Sequence, residues 1–250
     1  MRTRVFLTIA GLAILATVTA SGQAPAPPST RSPIVIELFT SEGCSSCPPA
    51  DRTLAQLQAQ HSFDGSELIV LGEHVDYWNQ LGWVDRFATH EITQRQSQYA
   101  DALRSEPYTP ELIVDGHVEI KDGRDLKKAL ASSAEQTKPA QVTLNWSSPS
   151  QLQVGVEQAG SKATVLFFVT EDNLTTEVKA GENGGVTLHH AAVVRETRVL
   201  GDVKKGSFHD ALAVKLKPDW QRERLHFVVI VQEQHGAGPI EGAAAVLARE

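Results

Sequence analysis

Ile34-Val35-Ile36-Glu37-Leu38-Phe39-Thr40-Ser41-Glu42-Gly43-Cys44-Ser45-Ser46-Cys47-Pro48-Pro49-Ala50-Asp51 decides the fold. Its first part is an apolar run of strand length, interrupted once by Glu37; its second is a Cys-x-x-Cys leading into a segment with helical spacing. Cys44 and Cys47 are the only cysteines in the chain. They stand within about one helical turn of each other, so they can close without much backbone movement. At a helix N-terminus, the dipole and free N–H groups favour thiolate over thiol. Cys44 is the expected nucleophile and Cys47 the resolving thiol. Pro48 and Pro49 fit only a first helical turn, where N–H groups lack partners anyway.

Upstream, Arg2 and Arg4 precede an apolar stretch from Val5 to Ala20. Small residues at Val18-Thr19-Ala20 or Gly22-Gln23-Ala24 offer cleavage sites, the pattern of a secretory signal peptide over residues 1–24. A Pro-rich linker follows over 25–33. The stretch is short for a bilayer span, so no stable membrane insertion is expected after cleavage, and the mature chain is expected to be periplasmic or secreted. In an oxidising compartment the plain reading of two cysteines is a structural crosslink. A loop of about four residues, however, yields only ~2 kcal/mol of chain-entropy stabilisation, against nearly 5 for about 100 residues. Redox or metal function accounts better for the pair.

The formal net charge is −7, and without Arg2 and Arg4 the chain holds 21 basic and 30 acidic residues. No Lys/Arg cluster remains to grip phosphates, which argues against nucleic acid as a partner. Met1 is the only methionine, so the mature chain carries no thioether copper ligand.

Downstream, two textures follow. Residues 34–138 alternate apolar strands with amphipathic segments: strands at Ile34–Thr40 and Glu67–His74, helices at Ala50–Gln60, Thr93–Arg104 and Arg124–Ala134, and a hairpin of Leu112–Asp115 with His117–Lys121 across Asp115-Gly116. This β-α-β-α-β-β-α order is that of a thioredoxin-like α/β domain. Residues 141–250 lose helical periodicity. Alternating runs at Gln141–Trp146, Gln151–Gln158, Ala163–Glu171, Val186–Arg198, Ala211–Leu216, Leu225–Gln232 and Ala243–Leu247 predict a mainly antiparallel, sandwich-like all-β domain. No chemistry is evident there. His189 and His190 are adjacent in a strand and face opposite sides.

The first two strands, joined by a helix, should be parallel, and the third antiparallel, so three segments meet at one sheet edge. They are the dithiol, His74-Val75-Asp76-Tyr77-Trp78, and Tyr108-Thr109-Pro110. Pro110 stands where thioredoxin-like proteins carry a cis-proline facing the disulfide, leaving a backbone edge for substrate pairing with Thr109. Glu37 is either buried below the dithiol as a proton relay or turned outward. His74 and Asp76 alternate onto one face and suit an orienting pair; His74 could also stabilise the thiolate, complete a Cys₂His metal site, or be a hydrogen-bonded structural residue. Tyr77, Trp78 and Trp83 either cover the dithiol as local core or form a peptide-docking rim.

The segment from Ile36 to Asp51, with His74-Val75-Asp76-Tyr77-Trp78, Leu81-Gly82-Trp83, Tyr108-Thr109-Pro110 and Val114-Asp115-Gly116, resembles a group of exported, thioredoxin-like bacterial proteins known as a domain of unknown function. The resemblance is strongest over 34 to about 135, and extends more loosely through Gly181-Glu182-Asn183 and Leu188-His189-His190. It implies fold and export, and no activity.

Three functions remain open at this stage. The first is a periplasmic thiol–disulfide oxidoreductase using the Cys44/Cys47 dithiol, with protein thiols, disulfides or a redox partner protein as its counterpart and no cofactor. The second is a Cu(I)-binding or delivery protein using Cys44, Cys47 and His74. The third is a noncatalytic binding protein with a structural disulfide. Hydrolase and transferase chemistry lack a motif.

Overall fold

The computed structural model describes residues 31–160, 162–233 and 235–248. The expected signal peptide and most of the linker lie outside the described residues. In chain order the elements are β1 (Ile34–Thr40), α1 (Pro48–Gln60), β2 (Ser62–Phe63), β3 (Ser66–His74), α2 (His90–Leu103), β4 (Glu111–Val114), β5 (Val118–Ile120), α3 (Gly123–Ala134), β6 (Gln141–Ser148), β7 (Gln151–Glu157), β8 (Thr164–Glu171), β9 (Leu174–Glu177), β10 (Thr187–His190), β11 (Val193–Asp202), β12 (Phe208–Ala213), β13 (Leu225–Gln232) and β14 (Ile240–Leu247). The architecture is mixed and sheet-dominated, with three helices among the described residues.

One sheet runs in the order β14-β13-β8-β11-β3-β1-β4-β5. It crosses the sequence boundary at 138–141: β11 lies beside β3 through the parallel pair Val193↔Gly72, and Gly72 N donates to Ala192 O at 2.8 Å. A smaller sheet, β12-β7-β6, faces the antiparallel wing of the large one. Leu144, Leu152, Val154 and Val156 pack there against Phe167, Val169, Phe227 and Val229.

The strand alternation of β1 sets the other two layers. Ile34, Ile36 and Leu38 face Leu54 and Leu57 of α1 and Leu126 and Leu130 of α3. Val35 and Phe39 face Ile92 and Tyr99 of α2, together with Phe168 and Ile230 of the distal strands. Every residue of β1 is buried, as a central strand covered on both sides requires. Each fully buried aliphatic or aromatic side chain contributes about 1.5–3 kcal/mol of transfer free energy.

The helix starts follow local chemistry. Pro48 and Pro49 open α1, and Thr89 caps α2 by accepting the N–H of Ile92, so that α2 starts at His90, three residues before the Thr93 start expected from periodicity. The run expected as one strand over Val186–Arg198 is two, β10 and β11, separated where Ala192 adopts φ 49°.

Candidate functional site

Parallel β1 and β3 put Thr40 opposite His74, and antiparallel β4 puts Glu111 opposite Phe39. The ends of β1 and β3 and the start of β4 therefore share one sheet edge. There the chain leaves β1 through Ser41-Glu42-Gly43 and closes the Cys44–Cys47 disulfide, with Cα atoms 5.4 Å apart. An attacking Cys44 and a resolving Cys47 would put Cys44 nearer solvent. In the structure both are 0 % exposed, and only Ser45 and Ser46 between them reach the surface. The free N–H groups expected at the helix start are absent too. Pro48 and Pro49 have none, and the N–H groups of Ala50 and Asp51 donate to Cys47 O at 2.9 and 3.1 Å. What remains at that terminus is the helix dipole.

Trp78 links the three edge segments. It lies so close to Gly43 that a Cβ there would stand 3.1 Å from Trp78 Cβ, and its Nε1 donates to Thr109 Oγ1 at 2.8 Å. The Thr109–Pro110 peptide is cis. Pro110, Ser46, Pro49 and Leu112 line a common groove of about 280 Å³. Tyr77 OH donates to Gln96 Oε1 at 3.2 Å, and Gln96 Nε2 donates to Tyr108 O and Glu111 Oε2, each at 2.7 Å. Burial, opposed by the Gln96 hydrogen bond and aided by Glu119, pushes the Glu111 carboxyl up to about 7.

The opposite wall comes from the second half of the chain, to which sequence assigns no chemistry. Asn183 Nδ2 donates to the carbonyls of Glu42 and Cys44 at 2.9 and 3.0 Å. Ser45 N and Oγ both donate to Glu182 Oε2, at 3.2 and 2.6 Å. Gly181, at φ 73°, abuts Trp83, where any Cβ would stand 3.1 Å from Trp83 Cβ. Trp83 Nε1 in turn donates to Glu42 Oε2 at 2.8 Å. Residues 181–183 thus form a strap bonded to the dithiol loop.

Beside this loop lies a cluster of buried ionisable groups. His74 Nδ1 stands 2.7 Å from Asp85 Oδ2, and Asp85 also accepts the N–H groups of Glu42 and Phe87. Burial alone would raise Asp85, but the charge and hydrogen bond of His74 and the two backbone donors outweigh it and bring the carboxyl down to about 2. Burial likewise opposes the charge on His74, and Asp85, Asp51 and Glu42 together overcome it and raise its pKa. Asp51, in the first turn of α1, accepts from Thr40 Oγ1 at 2.8 Å. Burial raises its pKa against the pull of His74 and His190. His190 Nε2 lies 3.3 Å from Glu42 Oε1, and its ring centroid 5.0 Å from that of His74. The approach to Glu42 is not aligned as a hydrogen bond, and neither His190 ring nitrogen has such a partner.

Two expected roles change. Asp76 does not orient His74; it accepts from Thr93 Oγ1 at 2.6 Å and lies 3.4 Å from His90, because the chain turns toward α2 after Val75. Asp85 takes that place. Glu37 is fully buried, but its carboxylate is bonded to Arg95, with Nε at 3.0 Å, and to Tyr99 OH. Arg95 also approaches Glu73 Oε2 at 3.5 Å and donates to Gly236 O at 2.6 Å. Burial, opposed by Arg95 and reinforced by Glu37, holds the Glu73 carboxyl well above the usual range. This cluster sits on the α2 face of the sheet, whereas Asp51 meets Thr40 on the α1 face. Among the described residues no group of three or more His, Cys, Asp or Glu is arranged to hold a metal ion. The sulfurs of the expected Cu(I) set are joined to each other, and His74 Nδ1 is committed to Asp85. No helix among the described residues is long and apolar enough to cross a membrane.

A family model described as "Protein of unknown function (DUF1223)" matches residues 35–232. A crystal structure of a protein from Agrobacterium tumefaciens is similar at TM-score 0.69 and 27% identity, over 87% of this chain and 95% of that one. HBP35 of Porphyromonas gingivalis is similar in fold at TM-score 0.61 and 15% identity, over 87% of this chain and 75% of its own. No curated protein matches the sequence.

Proposed function

The chain belongs to the family described as Protein of unknown function (DUF1223), and from that premise we propose that it is an exported thiol–disulfide exchange protein, thioredoxin-like over residues 34–138, acting through Cys44 and Cys47. The observation that carries this is the position of the disulfide. It closes at the start of a helix, on the sheet edge where two parallel strands end and an antiparallel strand begins. The basic start and apolar stretch of residues 1–24 support export.

In the exchange, an external thiolate attacks Cys44 Sγ, a mixed disulfide forms, and Cys47 leaves as thiolate at the N-terminus of α1. A second external thiolate then attacks the outer sulfur of the mixed disulfide. It releases Cys44 as thiolate and leaves the external pair oxidised by two electrons. Asp85, Asp51 and Glu42 raise the His74 pKa against its burial and so favour a positive charge beside the loop. Since both sulfurs are buried, attack requires the loop around them to open, and we assign that opening to release of the 181–183 strap bonded to it.

The test is equilibration with a glutathione redox series, followed by alkylation and mass analysis. Exchange at a potential between about −120 and −270 mV supports the function, and it should be lost in Cys44→Ser. The full burial of both cysteines favours one second reading, a noncatalytic binding protein with a structural crosslink. A potential below about −300 mV would assign that reading instead.

A further inference from the structure

A cavity of about 460 Å³ lies beyond Phe87, lined by Arg86, Arg195, Arg224, Phe87 and Asp219 among others. That volume lies within the range of small-molecule sites, roughly 300–1,000 Å³. On a chain of net charge −7, three guanidinium groups and one carboxylate in a single concavity are a local reversal of sign.

The three arginines are held in place. Arg86 Nη2 donates to Thr175 O at 2.9 Å, and Arg224 Nη1 to Asn173 O at 3.0 Å. A backbone carbonyl orients a guanidinium without cancelling its charge, so each keeps its positive charge at the cavity wall. Arg86 also stacks over the Phe87 ring, 4.5 Å from its centroid, which fixes the plane of the fork. Arg195 differs: Glu171 and Asp219, the latter at 2.7 Å, take its charge.

We propose that this cavity is a binding site for a small dianion, either a phosphate or a paired carboxylate, gripped by Arg86 and Arg224. Planar guanidinium forks match both groups through paired charge-assisted hydrogen bonds. Phe87 forms the wall toward the disulfide site, its ring 5.4 Å from that of His74 and 5.6 Å from that of His190. The site does not depend on the redox reading.

Isothermal titration calorimetry of the full chain at constant ionic strength, with inorganic phosphate and with malonate, tests it. The expected result is saturable one-to-one binding of at least one of them, weakened at least tenfold in both Arg86→Gln and Arg224→Gln. Binding of phosphate alone identifies the phosphate source, and of malonate alone the carboxylate source. Asp219→Asn, which removes the lining carboxylate, should tighten binding severalfold and serves if an arginine variant fails to fold. The exposed Arg124→Ala should leave it unchanged. No saturable heat with either anion, or affinity indifferent to the Arg86, Arg224 and Asp219 substitutions, overturns the proposal.

Discussion

Replacing Asn183 with Ala should make the disulfide react faster while leaving its surroundings folded. The side chain is buried and its Nδ2 bridges two carbonyls, those of Glu42 and Cys44, at 2.9 and 3.0 Å. Each such bond contributes about 0.5–1.5 kcal/mol net. Removing the donor takes away both in the closed state, while an open strap lets water satisfy the carbonyls. If a reductant reaches the sulfurs only through the open state, the opening equilibrium shifts by roughly 1–3 kcal/mol, or about 5- to 150-fold. The assay is the rate of disulfide loss under excess phosphine, quenched by alkylation, for wild type and Asn183→Ala. Circular dichroism and the urea midpoint confirm the fold. An unchanged rate in a folded variant would refute the idea that the strap gates access. A matching shift in midpoint and rate would refute it differently, because reduction would then proceed through global unfolding.

Asp85→Asn should destabilise the protein by at least about 2 kcal/mol at neutral pH, read from urea melts. Its carboxyl is held down to about 2 against an ordinary 3.8. The stability it contributes is therefore complete above pH 3.8 and is lost as pH falls through about 2, so the deficit should shrink over that window; a constant deficit would argue against the assignment. Arg95→Met strands the Glu37 carboxylate in the interior beside Glu73 and should cost about 3–5 kcal/mol. A loss under about 1 kcal/mol would mean that the cluster is not held by charge.

What was legible in the sequence is what neighbouring residues decide together. The apolar run before Cys44 and the tandem prolines after Cys47 define β1 and the start of α1, and Asp115-Gly116 defines the hairpin of β4 and β5. The meeting of β1 and β3 at one edge follows from the parallel crossover, and that of β4 from its antiparallel direction. What was hidden depends on distant pairing. Nothing in Val193–Asp202 announces that it lies beside β3, because an alternating run reads the same against any partner. Asp85 bears on His74 only through a loop with no periodicity, so Asp76, two residues along, looked the natural partner. Asn183 shows in the sequence as one residue of a turn. The break between β10 and β11 sits at Ala192, a residue type that rarely signals a positive φ.

The seam between β3 and β11 also bears on how the chain is made. Gly72 and its partner Val193 are about 120 residues apart, so at about 5–20 residues per second β3 emerges roughly 6–24 s before the strand that covers it. During that interval the Gly72 N–H, which later donates to Ala192 O, is an open group on a strand edge, and such an edge is a template for pairing with another nascent copy. The helices and first strands can assemble early, but the Gly72 edge has no partner until Ala192 and Val193 arrive. A chain interrupted near residue 138 would keep that edge open and should self-associate more than the full chain.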